Sequence, residues 1–181
     1  MSTSLVVTIV GTNRPGLVSA VSDKAAEFGA NWADSLMANL AGQFAGILLL
    51  QVPSRNADML VAALKELDSA NLHVAIARGG AAAAPVATTS LSRRIRLDLV
   101  GQDRPGIIHA ISSSLAGAGV SIEKLQTDIT SGAMSGEQMF NMHASLQVPL
   151  VLSEDKLRDV LEGIANELMV DFSLEDPREV G

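Results

Sequence analysis

The chain has 181 residues, 48% of them hydrophobic, and a formal net charge of −7, which fits one or two small globular domains. It contains no cysteine, which excludes disulfides and thiolate metal sites and fits a reducing compartment. A pI near 4.8 argues against a general nucleic-acid binder, because such proteins present a basic face to phosphates.

In chain order, Leu5, Val7 and Ile9 alternate as the inward residues of a strand. The loop Val10-Gly11-Thr12-Asn13-Arg14-Pro15-Gly16 follows, then Leu17, Val18, Val21 and Phe28 at helical spacing. Gly29 reads as a helix stop, and Asn31-Trp32 opens the next strand. A third strand runs from Phe44 to Pro53. Its segment Ile47-Leu48-Leu49-Leu50 is apolar on both faces, so domain docking or dimerisation is expected to cover the second face. Leu60, Ala63, Leu64 and Leu67 then form a second helical stripe. Residues 79–93 read as a linker of small residues, with Pro85 disfavouring helix at Ala84.

The pattern then recurs. Val100-Gly101-Gln102-Asp103-Arg104-Pro105-Gly106 repeats the first loop at the same spacing, between Ile95, Leu97, Leu99 and the stripe Ile107, Ile108, Ile111, Ala118. Gly119-Val120-Ser121-Ile122 answers Gly29 to Trp32, and Leu146-Gln147-Val148-Pro149 answers Leu50 to Pro53. The latter match is shifted by six further residues, which predicts a longer connection between the middle strands of the second copy. Leu157, Val160, Leu161 and Ile164 complete the correspondence. Each copy reads β-α-β-β-α-β. The expected fold class is α+β: two tandem ferredoxin-like domains, at 1–78 and 94–181, each a four-stranded antiparallel sheet with two helices on one face. Halves of about 80 residues bury limited surface alone, so an intramolecular pseudo-dimer is expected, with a homodimer also open.

The repeated loop hands a strand to a helix. Proline suits a first helical turn, and Gly16 or Gly106 leaves room for an approaching ligand. Free amides there, with the helix dipole, favour a carboxylate. Asn13 and Asp103 stand where a side chain can cap the helix, and Asp103 could instead receive an ammonium group. The residues alone support both readings. Asn31 and Ser121 lie fifteen positions after Gly16 and Gly106, each at the next strand's start.

Gly-X-Asp-Arg-Pro-Gly-Ile/Leu followed by Gly-X-Asn-Ile resembles the ACT domain, a small regulatory amino-acid-binding module. The resemblance covers about residues 4–78 and 94–175. Two copies without an attached enzyme resemble the glycine cleavage system transcriptional repressor family, as do Phe44-Ala45-Gly46-Ile47-Leu48-Leu49 and Met134-Ser135-Gly136-Glu137. The resemblance implies amino-acid binding at domain interfaces, and control through a protein partner such as a DNA-binding activator rather than through DNA itself. The first copy departs from the family in having Asn13 for aspartate, and the second in having Ser121 for asparagine. By the family's arrangement, Asp103 and Gly106 would act with Asn31 as one complete site. Asn13 and Gly16 would act with Ser121 as a weaker one.

The remaining candidates read as structural. His73 and His143 should face away from the helices, and His109 lies on a helix beside the second loop; none has metal-site spacing. Ser112-Ser113-Ser114 reads as the polar side of a helix, without a nucleophile turn. Ser153 with Glu154 and Asp155 reads as a helix cap. Met134 and Met139 flank the longer hairpin, Trp32 is expected to pack with the sheet, and Arg93, Arg94 and Arg96 read as a solvated sheet edge. No catalytic residue, metal or cofactor is expected. The preferred reading is a cytoplasmic, non-enzymatic regulator that binds a small amino acid, glycine or serine-like, and acts with a protein partner to control glycine metabolism. The expected cytoplasmic location rests on the lack of a cleavable leader and of an apolar run near the ~20 residues that a membrane helix needs. A structural module with a decayed ligand site is the alternative, and an enzyme a lesser one.

Overall fold

The structure, a computed structural model, describes residues 1–69, 71–79, 91–131 and 137–176. The chain divides into two compact units, Met1–Thr88 and Thr89–Gly181. The first contains β1 (Ser2–Thr12), α1 (Leu17–Glu27), β2 (Asn31–Leu40), β3 (Gln43–Pro53), α2 (Ala57–Lys65) and β4 (Leu72–Gly79). The second contains β5 (Ser92–Gln102), α3 (Ile107–Gly117), β6 (Ser121–Ser131), β7 (Gln138–Pro149), α4 (Glu154–Leu168) and β8 (Val170–Glu175). Each unit forms one four-stranded antiparallel sheet, ordered β2-β3-β1-β4 and β6-β7-β5-β8. The expected α+β fold is the one observed.

Alternation builds each core. Leu5, Val7 and Ile9 on β1 and Leu48, Leu50 and Val52 on β3 point to the helices and are buried. They meet Leu17 and Val21 of α1 and Leu60 and Leu64 of α2. In the second unit Ile95, Leu97, Met142, Leu146, Ile111, Leu115, Leu157 and Leu161 repeat the arrangement. Burying each such leucine or isoleucine contributes about 1.5–3 kcal/mol, the main term opposing chain entropy. Trp32 is half-buried against the first core, as expected. His73 and His143 are exposed and Ile47 opens away from the helices, as the alternation predicts.

Several expectations need correction. Val18 and Ile108 fall one position off the buried stripe and are exposed. Among the described residues Arg93 and Arg94 pair with β7 alone, so the start of β5 is an open edge as expected, whereas Arg96 lies between β7 and β8. Each is engaged locally: Arg93 Nη2 donates to the Leu152 carbonyl at 3.1 Å, Arg94 pairs with Glu123 at 2.8 Å, and Arg96 with Asp98 at 2.9 Å. The expected linker is narrower at both ends, since Gly79 belongs to β4 and Ser92 and Arg93 to β5; residues 80–90 lie outside the described residues.

The middle strands are joined differently in the two units. Ala41 and Gly42, both at positive φ (50° and 79°), close β2 onto β3 as a two-residue hairpin, the geometry that matches strand twist. Six residues separate β6 from β7, the predicted longer connection. Met134, Ser135 and Gly136 of that connection lie outside the described residues, while Met139 is half-buried at the start of β7.

Candidate functional site

The two repeated loops adopt one conformation. Gly16 has φ 90° and Gly106 φ 92°, both left-handed, and each is the residue that begins its helix. Ala20 N–H donates to the Gly16 carbonyl at 2.9 Å, and Ala110 N–H to the Gly106 carbonyl at 3.0 Å, as the first helical bonds. Pro15 and Pro105 therefore precede the helix rather than occupy its first turn. No side-chain cap bond is made at either helix start among the described residues, so Asn13 and Asp103 are not seen as caps. Their backbones tie the loops to the neighbouring hairpins instead: Asn13 N–H donates to Gly42 at 3.0 Å, and Asp103 N–H to Gln138 at 2.9 Å. By contrast, Ser153 does cap α4, its hydroxyl accepting from Lys156 N–H, with Glu154 and Asp155 in the first turn as expected.

Among the described residues this geometry leaves first-turn amides without a side-chain cap at the positive end of the helix dipole. In the second unit the loop opens on a cleft of about 460 Å³, lined by Asp103, Arg104, Gly106, Ile108, His109, Thr127, Asp128, Ile129 and Phe140 among others. The Asp103 side chain is exposed there. Arg104 is half-buried, its Nη2 donating to Gln102 Oε1 at 3.3 Å. Of these lining residues, Asp103 and Gly106 are the ones the repeated loop marks, while Ile108, Thr127, Ile129 and Phe140 carry no site motif in the sequence. Ile108 carried a signal in retrospect: it falls off the buried i, i+4 stripe of Ile107, Ile111 and Leu115.

Asn31 and Ser121 are exposed at the opposite ends of their sheets from the loops. On β3, Thr12 is paired with Gln43 and Asn31 with Gln51, eight residues apart. At about 3.4 Å per residue, that separates Asn31 from its own loop by roughly 27 Å. On β7, Gln102 is paired with Met139 and Ser121 with Gln147, so the second unit shows the same separation. Neither unit brings its own loop and strand-start residue together.

On the second sheet's open face, His143 Nδ1 meets the Asp98 carboxylate, which Arg96 also contacts. His109 donates no side-chain bond to the protein among the described residues; its carbonyl accepts from the Ser112 hydroxyl at 3.2 Å, on the polar side of α3. Among the described residues no group of three or more His, Cys, Asp or Glu side chains is arranged to hold a metal. No helix among them is long and apolar enough to cross a membrane.

Residues 3–76 match the family model of the ACT domain. A protein of unknown function from Galdieria sulphuraria is similar along nearly its whole length, with 27% identity, 97% of this chain and 99% of that one covered, and a TM-score of 0.83. A candidate glycine cleavage system transcriptional repressor has the same fold, at 20% identity, 97% coverage of both chains and a TM-score of 0.65. No curated protein matches the sequence significantly. The ACT-domain match lies within the first unit, and the second unit repeats that unit's strand order and helix placement.

Proposed function

We propose that this chain is an amino-acid-responsive regulatory protein. The observation that carries the reading is the pair of glycine-initiated helix starts whose first-turn amides no side chain caps, with exposed Asp103 beside one of them. Amides at a helix start recognise a carboxylate, and an exposed aspartate recognises an ammonium group. Together they match the two charged groups of a free amino acid. An ACT-domain first unit supports the same reading.

The ligand set we propose is Asp103 and Gly106 acting with Asn31, with Asn13, Gly16 and Ser121 forming a weaker counterpart. Each strand start lies roughly 27 Å from its own loop, so neither Asn13 with Asn31 nor Asp103 with Ser121 can hold one small ligand. The resemblance to the glycine cleavage system repressor family directs the reading to glycine or a serine-like amino acid. It also directs it to transcriptional control through a protein partner in the cytoplasm. Ligand would change partner affinity by binding two arrangements of the chain unequally, with coupling of about 1–3 kcal/mol.

Calorimetric titration of the chain with glycine, serine and the other amino acids tests this. One strong site per chain is expected. No binding of any amino acid would favour the second reading, a structural ACT module with a decayed site, which Asn13 and Ser121 keep open. Trp32, the single tryptophan of a chain without tyrosine, adjoins Asn31 and gives an independent fluorescence readout.

A further inference from the structure

The two sheets share a strand register but not the chemistry of their open faces. On the first, Val6 and Asp34 both stand opposite Leu49, and Leu36 stands opposite Ile47. On the second, the positions equivalent to Val6, Asp34, Leu36, Ile47 and Leu49 hold Arg96, Lys124, Gln126, His143 and Ser145. The same frame folds with apolar residues and one acid at these places, so folding does not call for the basic and polar set. Those five residues of the second sheet, with Ala144, line a hollow of about 350 Å³. It shares no lining residue with the cleft beside Asp103.

We propose that this hollow binds the phosphate group of a small metabolite. Charge selects an anion. Arg96 and Lys124 line the hollow and no carboxylate does, on a chain of formal charge −7. The acids around it are held by other partners or lie beyond Arg96. Asp98 is engaged by Arg96 and His143, Glu123 by Arg94 at 2.8 Å, and Asp128 by Asn141 at 3.0 Å. Glu175 stands opposite Arg96 on β8, the side away from Lys124.

The available donors select a phosphate over a carboxylate. Arg96 Nε and Nη2 fork onto the Asp98 carboxylate at 2.9 and 3.3 Å, which fixes the guanidinium and leaves Nη1 over. A carboxylate is recognised best by such a two-pronged edge, and on Arg96 that edge is taken. Among the described residues the Lys124 ammonium, the Gln126 amide and the Ser145 hydroxyl have no hydrogen-bond or ion-pair partner. What remains is a set of single donors from three strands around one hollow. Such a set suits the several oxygens and the charge of about −1.5 to −2 of a phosphate monoester. A volume of about 350 Å³ is that of a small-molecule site rather than of a bare ion.

The test is NMR of the three histidine imidazoles in the full chain, at ionic strength matched with sodium chloride. Inorganic phosphate and glycerol phosphate are titrated in turn. Saturable shifts are expected at His143 and not at His73 or His109, with the monoester bound at least as tightly as inorganic phosphate. The variant Lys124→Asp with Gln126→Leu places the first sheet's own residues on the second. It should weaken binding at least about tenfold, the loss of one charged hydrogen bond. Neither side chain has a protein partner, so circular dichroism should be unchanged; if it is not, Lys124→Gln serves in its place. Absence of a saturable shift at His143, an equal response to chloride alone, unchanged affinity in the folded variant, or preference for a short DNA duplex over the monoester would overturn the proposal.

Discussion

The two pairs of matched glycines serve different physical ends. At Gly101 a Cβ would lie 2.4 Å from Val170 Cγ1, and at Gly11 it would lie 2.3 Å from the Asn71 carbonyl oxygen, so β1 and β5 need glycine where the last strand crosses close by. Gly106 has open space around it but φ of 92°, so there the backbone and not packing demands glycine. Gly101→Ala should destabilise the protein by about 1–3 kcal/mol through overpacking, measured by urea denaturation. Gly106→Ala should cost about 1–2 kcal/mol through left-handed strain alone. Asp103 is exposed and caps nothing, so Asp103→Ala should change stability by less than about 0.5 kcal/mol. The same variant should weaken amino-acid binding by about 1.5–3 kcal/mol, the worth of a hydrogen bond to a charged group. Equal affinity in calorimetry would remove Asp103 from the site.

At the scale of elements, hairpin and cap chemistry make separable predictions. Ala41 sits at φ 50° in the two-residue turn before Gly42, where asparagine is preferred. Ala41→Asn should therefore stabilise the protein by about 0.5–1 kcal/mol, read as a rise in the denaturation midpoint. Ser153→Ala removes the one side-chain cap seen on the long helices and should cost about 1 kcal/mol in the same assay. Strands and helices were legible because period two and period 3.6 mark opposite partners: Leu5, Val7 and Ile9 cannot face a core in any other register. Helix starts were less legible. Asn13 and Asp103 looked like caps because aspartate and asparagine precede many helices, but left-handed Gly16 and Gly106 take that position. Backbone sign at glycine is set by local geometry, and no side-chain pattern reports it.

For the whole molecule, the comparison between units says more than either unit alone. The repeat Gly-X-Asn/Asp-Arg-Pro-Gly and its flanking alternation fixed two βαββαβ units, since apolar periodicity leaves few ways to cover one face of a four-stranded sheet. It also picked out Asp103 and Gly106, because a loop kept at one spacing in two copies is under a common geometric demand. Tertiary structure decided three matters that sequence left open. Antiparallel register placed Asn31 and Ser121 at the far ends of their sheets from Gly16 and Gly106, a separation along the strands that the fifteen-residue spacing along the chain does not reveal. Strand register put Arg96 between β7 and β8 and left Arg93 and Arg94 paired with β7 alone among the described residues, because strand neighbours are chosen by non-local pairing. Finally, pairing across strands set exposed Leu36 and Ile47 beside half-buried Leu49 and Val6, while the same frame in the second unit carries Gln126, His143, Ser145 and Arg96. Sequence determines which side of a strand is apolar; only the sheet brings those sides together into a surface.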